Sequence, residues 1–161
     1  MTDVEFSRLL SDLATTAKTL NEKSDSVTSI IRRFQESLCA MNVGLEVWPV
    51  TLRETPWSRE WVNPDDDPEG VAGTTDVELG FSKYHDQWVL AVRIAVYEED
   101  DDQVAKHYWT FIRAENITPL LAADRATRIE ALEHFPAIAK ALKDEAEEKI
   151  KTIEAAQAYV K

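Results

Sequence analysis

FSRLLSDLATTAKTLNEKSDSVTSIIRRFQESLCAM, residues 6–41, decides how this chain folds. Within it Phe6, Leu10, Leu13, Ala17, Leu20, Ser24, Val27, Ile31, Phe34, Leu38 and Met41 follow an unbroken 4-3-4-3 spacing, and ten of these eleven positions are apolar. That spacing is the seam of a coiled coil, in which apolar residues recur every 3.5 positions and insert between residues of a facing helix. The helix would run roughly 54 Å at about 1.5 Å per residue. So long an apolar stripe requires a facing helix, from this chain or another. Ser24-Asp25-Ser26 is its weak point, because these side chains compete for backbone hydrogen bonds. The heptad phase nevertheless carries from Leu20 to Val27, so the spacing predicts one helix, ending near Asn42-Val43-Gly44, where Asn or Gly can turn left-handed.

Outward from this helix the pattern changes to period two. Residues 45–50 read as a short strand that Pro49 confines to a sheet edge. Residues 51–75 then read as a long connection, with one helical turn over Thr55-Pro56-Trp57-Ser58-Arg59-Glu60-Trp61 placing Trp57 and Trp61 on one face. The clearest β signal is a hairpin of residues 77–84 and 87–98 about His85-Asp86. It sets Lys83 opposite Trp88, Phe81 opposite Leu90, Leu79 opposite Val92 and Val77 opposite Ile94 on a bulky face. The other face pairs Ser82 with Val89, Gly80 with Ala91 and Glu78 with Arg93, and its small residues predict a helix lying close over Gly80 and Ala91. A further strand covers residues 107–113. Thr118-Pro119 then opens a helix to about His134, and Pro136 opens another to the C-terminus. In that last helix Leu142, Ala146, Ile150, Ile153, Gln157 and Val160 form a second apolar stripe, the expected antiparallel partner of the first. The expected fold is a single α+β domain over residues 1–161: a long N-terminal helix, an antiparallel four-stranded β-meander and two C-terminal helices, with the terminal helices packed coiled-coil-like.

Charge is distributed unevenly. The 161 residues carry a net charge of −12, but residues 60–102 alone hold 13 acids against only Lys83 and Arg93. The excess is concentrated in Asp65-Asp66-Asp67 and in Glu98-Glu99-Asp100-Asp101-Asp102. Phosphate backbones are bound by clustered Lys and Arg, so nucleic acid is not an expected partner. The single cysteine, Cys39, excludes an intramolecular disulfide, and the chain offers neither a membrane-length apolar run nor a signal-like N-terminus. The expected location is cytoplasmic.

Catalytic and metal signatures are missing from the sequence. His85, His107 and His134 have no second ligand at metal spacing, and the four glycines form no phosphate-binding loop. No metal and no cofactor are expected. Cys39, beside the seam residue Leu38, reads as a small buried hydrophobe, and Glu78–Arg93 as a cross-strand ion pair. Candidate partner-binding residues are Trp57 and Trp61, because tryptophan anchors interfaces, and the acidic run Glu98, Glu99, Asp100, Asp101 and Asp102. A candidate ligand pocket on the small-residue face would use Arg93, Tyr97, His107 and Arg113. The leading expectation is a non-enzymatic protein-interaction module, an acidic adaptor or inhibitor that binds a basic partner, with the N-terminal seam offering a route to a homo-oligomer. The alternative is a small-molecule binder or enzyme built around Arg93 and Tyr97.

Overall fold

The computed structural model describes residues 3–61, 69–100 and 108–158, with side chains described over 4–58, 72–98 and 110–158. The first helix, α1 (Asp3–Ala40), is continuous through Ser24-Asp25-Ser26. There the hydroxyls of Thr28 and Ser29 donate to the carbonyls of Ser24 and Asp25 one turn back, at 3.0 and 2.9 Å. These bonds run along the helix and do not interrupt it. Beyond Ala40, Asn42 and Gly44 adopt positive φ of 49° and 65° and turn the chain away.

Four strands follow: β1 (Val47–Trp61), β2 (Glu69–Tyr84), β3 (Gln87–Asp100) and β4 (Tyr108–Pro119). They form the expected antiparallel meander in the order β1-β2-β3-β4. Every predicted β2–β3 pair is present, from Val77 opposite Ile94 to Lys83 opposite Trp88. His85 and Asp86 form the two-residue tip, with φ of 44° and 65°, the twist that a tight hairpin requires.

Two sequence readings are corrected in this region. Thr55 to Trp61 is not a helical turn but the far half of β1, paired from Thr55 opposite Thr75 to Trp61 opposite Glu69. Pro49 and Pro56 are tolerated because β1 lies at the edge of the sheet, and Pro49 falls within a register shift between Val47 and Val50. The predicted helix over Gly80 and Ala91 is also replaced. A Cβ on Gly80 would lie 2.6 Å from Cε3 of Trp48 and 2.1 Å from the carbonyl oxygen of Val47, so the neighbouring strand and its indole cover that position.

The C-terminal half follows the expected plan with different boundaries. Thr118-Pro119 ends β4, and the predicted helix over 118–134 resolves into a 3-10 turn (Leu120–Ala122), a short α2 (Arg125–Ala131) and a second 3-10 turn (Leu132–His134). Asp124 is the N-cap: its carboxylate accepts from Thr127 N at 3.0 Å and from Thr127 Oγ1 at 2.7 Å. Pro136 has no N–H to give to the Leu132 carbonyl. Phe135 N donates to it instead, tightening the chain into the second 3-10 turn before α3 (Phe135–Ala158) proceeds.

Val50, Leu79, Phe81 and Leu90 of the sheet form the core with Ile31, Leu38, Leu120, Ala131, Phe135, Ile138 and Leu142. Phe34 stacks on Phe135 with centroids 4.4 Å apart. α1 also seals an edge. Pairing of β3 with β4 begins at Ala91, and just before it Leu90 N donates to Oε1 of Gln35 at 3.0 Å while Cys39 Sγ donates to the Trp88 carbonyl at 3.2 Å.

The relation between the terminal helices differs from the expected hairpin. Arg125 Nη2 donates to Asn21 Oδ1 at 3.1 Å, Arg128 Nη1 donates to Thr28 Oγ1 at 2.8 Å, and Phe135 stacks on Phe34. The numbers rise together along both partners, so α1 and the segment from α2 to the start of α3 run in the same sense. The expected seam-to-seam packing is not seen: Leu10 and Leu13 at the start of α1 and Ile150 and Ile153 of the C-terminal stripe are all exposed.

Candidate functional site

Glu78 and Arg93 face each other across β2 and β3. Arg93 Nε donates to Glu78 Oε2 at 2.7 Å, with both side chains largely buried. Tyr97, four residues further along β3 on the same face, donates its hydroxyl to Glu78 Oε1. Both carboxylate oxygens are thus engaged. The Arg93 guanidinium carbon lies 4.3 Å from the Trp48 ring centroid and 5.3 Å from that of Phe111, while Tyr97 and Phe111 meet edge to face at 5.6 Å. Burial, and then the Glu78 carboxylate, push the Tyr97 phenol up to about 12. Chemically this is a closed unit: the acid is held by a cation and a phenol, and the phenol keeps its proton at neutral pH. Asp76, on the same face of β2, is buried with its Oδ1 unpaired.

The predicted pocket residues are thus only partly brought together. Arg93 and Tyr97 share the Glu78 carboxylate. Arg113 pairs through Nε with Glu115 and lines a different hollow, and His107 lies outside the described residues. That hollow, of about 290 Å³, joins Trp57, Ser58, Thr75, Val96, Glu98 and Arg113 at the far end of the sheet. It unites a predicted anchor, a predicted partner-binding acid and a predicted pocket arginine. Trp57 is positioned by Gly73 opposite it, where a Cβ would meet the indole Cζ2 at 2.3 Å. The side chains of Trp61, Glu99 and Asp100, and all of Asp101 and Asp102, lie outside the described residues.

Trp48 and Phe111 escaped the sequence reading. The available signal was Gly80 itself, since a glycine inside a strand marks the close approach of another group. A second cleft of about 310 Å³ lies between the sheet and α2, where Arg53 Nη2 donates to Thr127 Oγ1 at 2.6 Å and Asp124 caps the helix. Cys39 is exposed, not buried as expected, and partial burial of its thiol followed by the nearby Glu36 carboxylate raises its pKa. That shift keeps the sulfur in its less nucleophilic thiol form.

The most exposed apolar surface is on α1. Ile31 and Leu38 of the seam are 0% and 4% exposed, whereas Phe6, Leu10, Leu13 and Leu20 of the same seam are 47%, 49%, 60% and 49% exposed. The pattern is continuous, but the chain covers only its second half. Phe6, Leu10, Leu13 and Leu20, joined by Leu9 beside them, form an apolar strip beyond the body of the fold.

Among the described residues no helix is long and apolar enough to cross a membrane, and no group of three or more His, Cys, Asp or Glu is placed to hold a metal. Compared with protein-family models, curated proteins and solved structures, the chain matches none.

Proposed function

We propose that this chain is a non-enzymatic protein-interaction module whose first helix pairs with another helix and whose acidic middle faces a basic partner. The observation that carries the reading is the half-covered seam. Leu10, Leu13 and Leu20 repeat the spacing of Ile31 and Leu38, yet they meet water instead of a facing helix. Seam residues at this spacing are the knobs of a helix pair, and leaving them in water forfeits the burial for which the pattern is suited. The 13 acids and two bases of residues 60–102 support a basic surface on the partner, since opposite charges steer encounter and suppress wrong partners. The Glu78–Arg93–Tyr97 unit lends less support to a small-molecule site, because Glu78 is already saturated and Trp48 stacks over Arg93.

The test is site-specific photo-crosslinking on the full chain. A probe at Leu13, on the strip, is expected to crosslink to a protein helix, and one at Lys18, on the outer face, is not. Introducing Leu10→Glu should abolish the Leu13 product. Equal yields at the two positions would remove the seam as a docking element.

A further inference from the structure

The exposed strip has a length, a charge and a pattern of side-chain sizes that together select its occupant. The chain's own C-terminal helix is not suited to cover it. With α3 in place Phe6, Leu10, Leu13 and Leu20 stay exposed, and so do Ile150 and Ile153 of its own stripe, so α3 does not cover the strip. A separate helix must supply the facing surface.

Charge then narrows the choice. Residues 3–23 carry four acids (Asp3, Glu5, Asp12, Glu22) and three bases (Arg8, Lys18, Lys23), so this arm is close to neutral within a chain of net charge −12. Seam-flanking positions decide which helices pair, because charges there attract a complementary partner and reject a like one. Beside Phe6 to Leu20 these positions are Ser7, Leu9, Ala14, Thr16 and Asn21, all uncharged, and the first charged flank is Lys23, beside Ser24. The arm neither recruits a charged helix nor repels its own copy.

Side-chain size fixes the direction. In a parallel pair Phe6 would meet Phe6 and Ala17 would meet Ala17, giving one overfilled layer and one underfilled layer. In an antiparallel pair centred between Leu10 and Leu13, Phe6 meets Ala17 and Leu10 meets Leu13, twice over about a two-fold axis. Large opposes small at Phe6–Ala17, leucine opposes leucine at the centre, and the outermost layer sets Leu20 opposite Asp3. The antiparallel arrangement also holds the two acidic sheets at opposite ends of the arms, whereas a parallel one would crowd them together.

We propose that the exposed strip of α1 is a self-association surface, on which the same arm of a second copy lies antiparallel with Phe6 against Ala17 and Leu10 against Leu13. This rests on the interaction-module reading and makes the chain a two-ended particle, with one acidic sheet at each end. An isologous pairing of this kind closes after two copies.

Sedimentation of the full chain across a wide concentration range is expected to show a reversible monomer–dimer equilibrium. Leu10→Glu/Leu13→Glu should sediment as a monomer throughout while keeping the near-ultraviolet spectrum of the core, because both side chains are exposed within one chain. Direction is tested in a Cys39→Ser background by oxidising Phe6→Cys, Ala17→Cys and an equal mixture of the two. A disulfide between the two variants, with neither forming one to itself, is the expected result. A monomer at every concentration, a dimer indifferent to the glutamates, or a Phe6→Cys chain that links to itself would each overturn the proposal. The photo-crosslinking probe at Leu13 separates this failure from that of the broader reading: a monomer that still crosslinks to a different protein through Leu13 refutes self-pairing alone.

Discussion

Replacing Glu78 by Gln removes one charge and almost no volume, so it isolates the electrostatics of the buried unit on the sheet. Arg93 would be left with a side chain only 15% exposed and without its Glu78 counter-charge. Removing one member of a buried pair costs about 3–5 kcal/mol, because the other charge remains buried and uncompensated. Two features reduce that figure here. The guanidinium keeps the Trp48 and Phe111 rings at 4.3 and 5.3 Å, contacts worth about 0.5–2 kcal/mol. The Gln carbonyl can also still accept from either Tyr97 or Arg93. The expected loss is about 2–3 kcal/mol, or roughly 4–12 °C in Tm for a domain of this size. Urea unfolding followed by tryptophan fluorescence measures it directly. The same variant should move Tyr97: its phenol titrates near 12 because of burial first and Glu78 second, so loss of the carboxylate brings it part of the way down. Spectrophotometric titration of the four tyrosines reports this as the disappearance of the latest step. Glu78→Gln/Arg93→Met, which discards both charges, should recover much of the lost stability. A Glu78→Gln loss below about 1 kcal/mol, with the late tyrosine step unmoved, would show that the unit does not hold this face together.

The remaining expectations concern the seam, the hairpin tip and pH. Ile31→Ala should cost about 2–5 kcal/mol in denaturant unfolding, because Ile31 is fully buried, while Leu13→Ala should change monomer stability by under about 0.5 kcal/mol; equal losses would contradict the half-covered seam. His85→Asn/Asp86→Gly should stabilise the fold by roughly 1 kcal/mol, since both positions hold positive φ that Asn-Gly adopts readily, and a loss of stability would show the tip to be strained for another reason. On the alkaline side, a raised Tyr97 pKa means that its contribution is complete below pH 10 and is lost as pH rises toward about 12, so Tyr97→Phe should flatten unfolding free energy against pH in that window. On the acid side, Asp124 is held below the usual carboxylate range by the Thr127 hydroxyl and N–H; its contribution is present at neutral pH and is lost as pH falls through and below that range, and Asp124→Ala should flatten that limb.

Long, regular signals translated directly into structure. The 4-3-4-3 spacing of α1 survived Ser24-Asp25-Ser26 because helix-internal hydroxyl bonds there agree with the helix. The β2–β3 register was legible because a bulky face alternates with a small one and a one-residue slip would exchange them. Local punctuation misled. Thr55-Pro56 and Thr118-Pro119 both resemble helix starts, yet both lie in edge strands, where a missing N–H costs little. The real cap, Asp124, sits between a 3-10 turn and the short α2 and has no long apolar run after it to mark it. Of the candidate residues, Glu78–Arg93 followed from register alone. Tyr97 on Glu78, Trp48 over Arg93, and Trp57 beside Glu98 and Arg113 required the bend and bulges of the outer strands, which no spacing rule encodes.

The bond from Leu90 to Gln35 gives one amide a double meaning. Leu90 N–H sits on a central strand, yet its acceptor belongs to a helix side chain and not to the neighbouring β4. Its hydrogen exchange therefore reports on the seating of α1, while amides bonded across β2 and β3 report on the sheet. If the helix lifts off without the sheet opening, Leu90 exchanges ahead of its strand neighbours. A single residue thus reads the free energy that keeps the long helix attached, from within its covered half between Ile31 and Leu38.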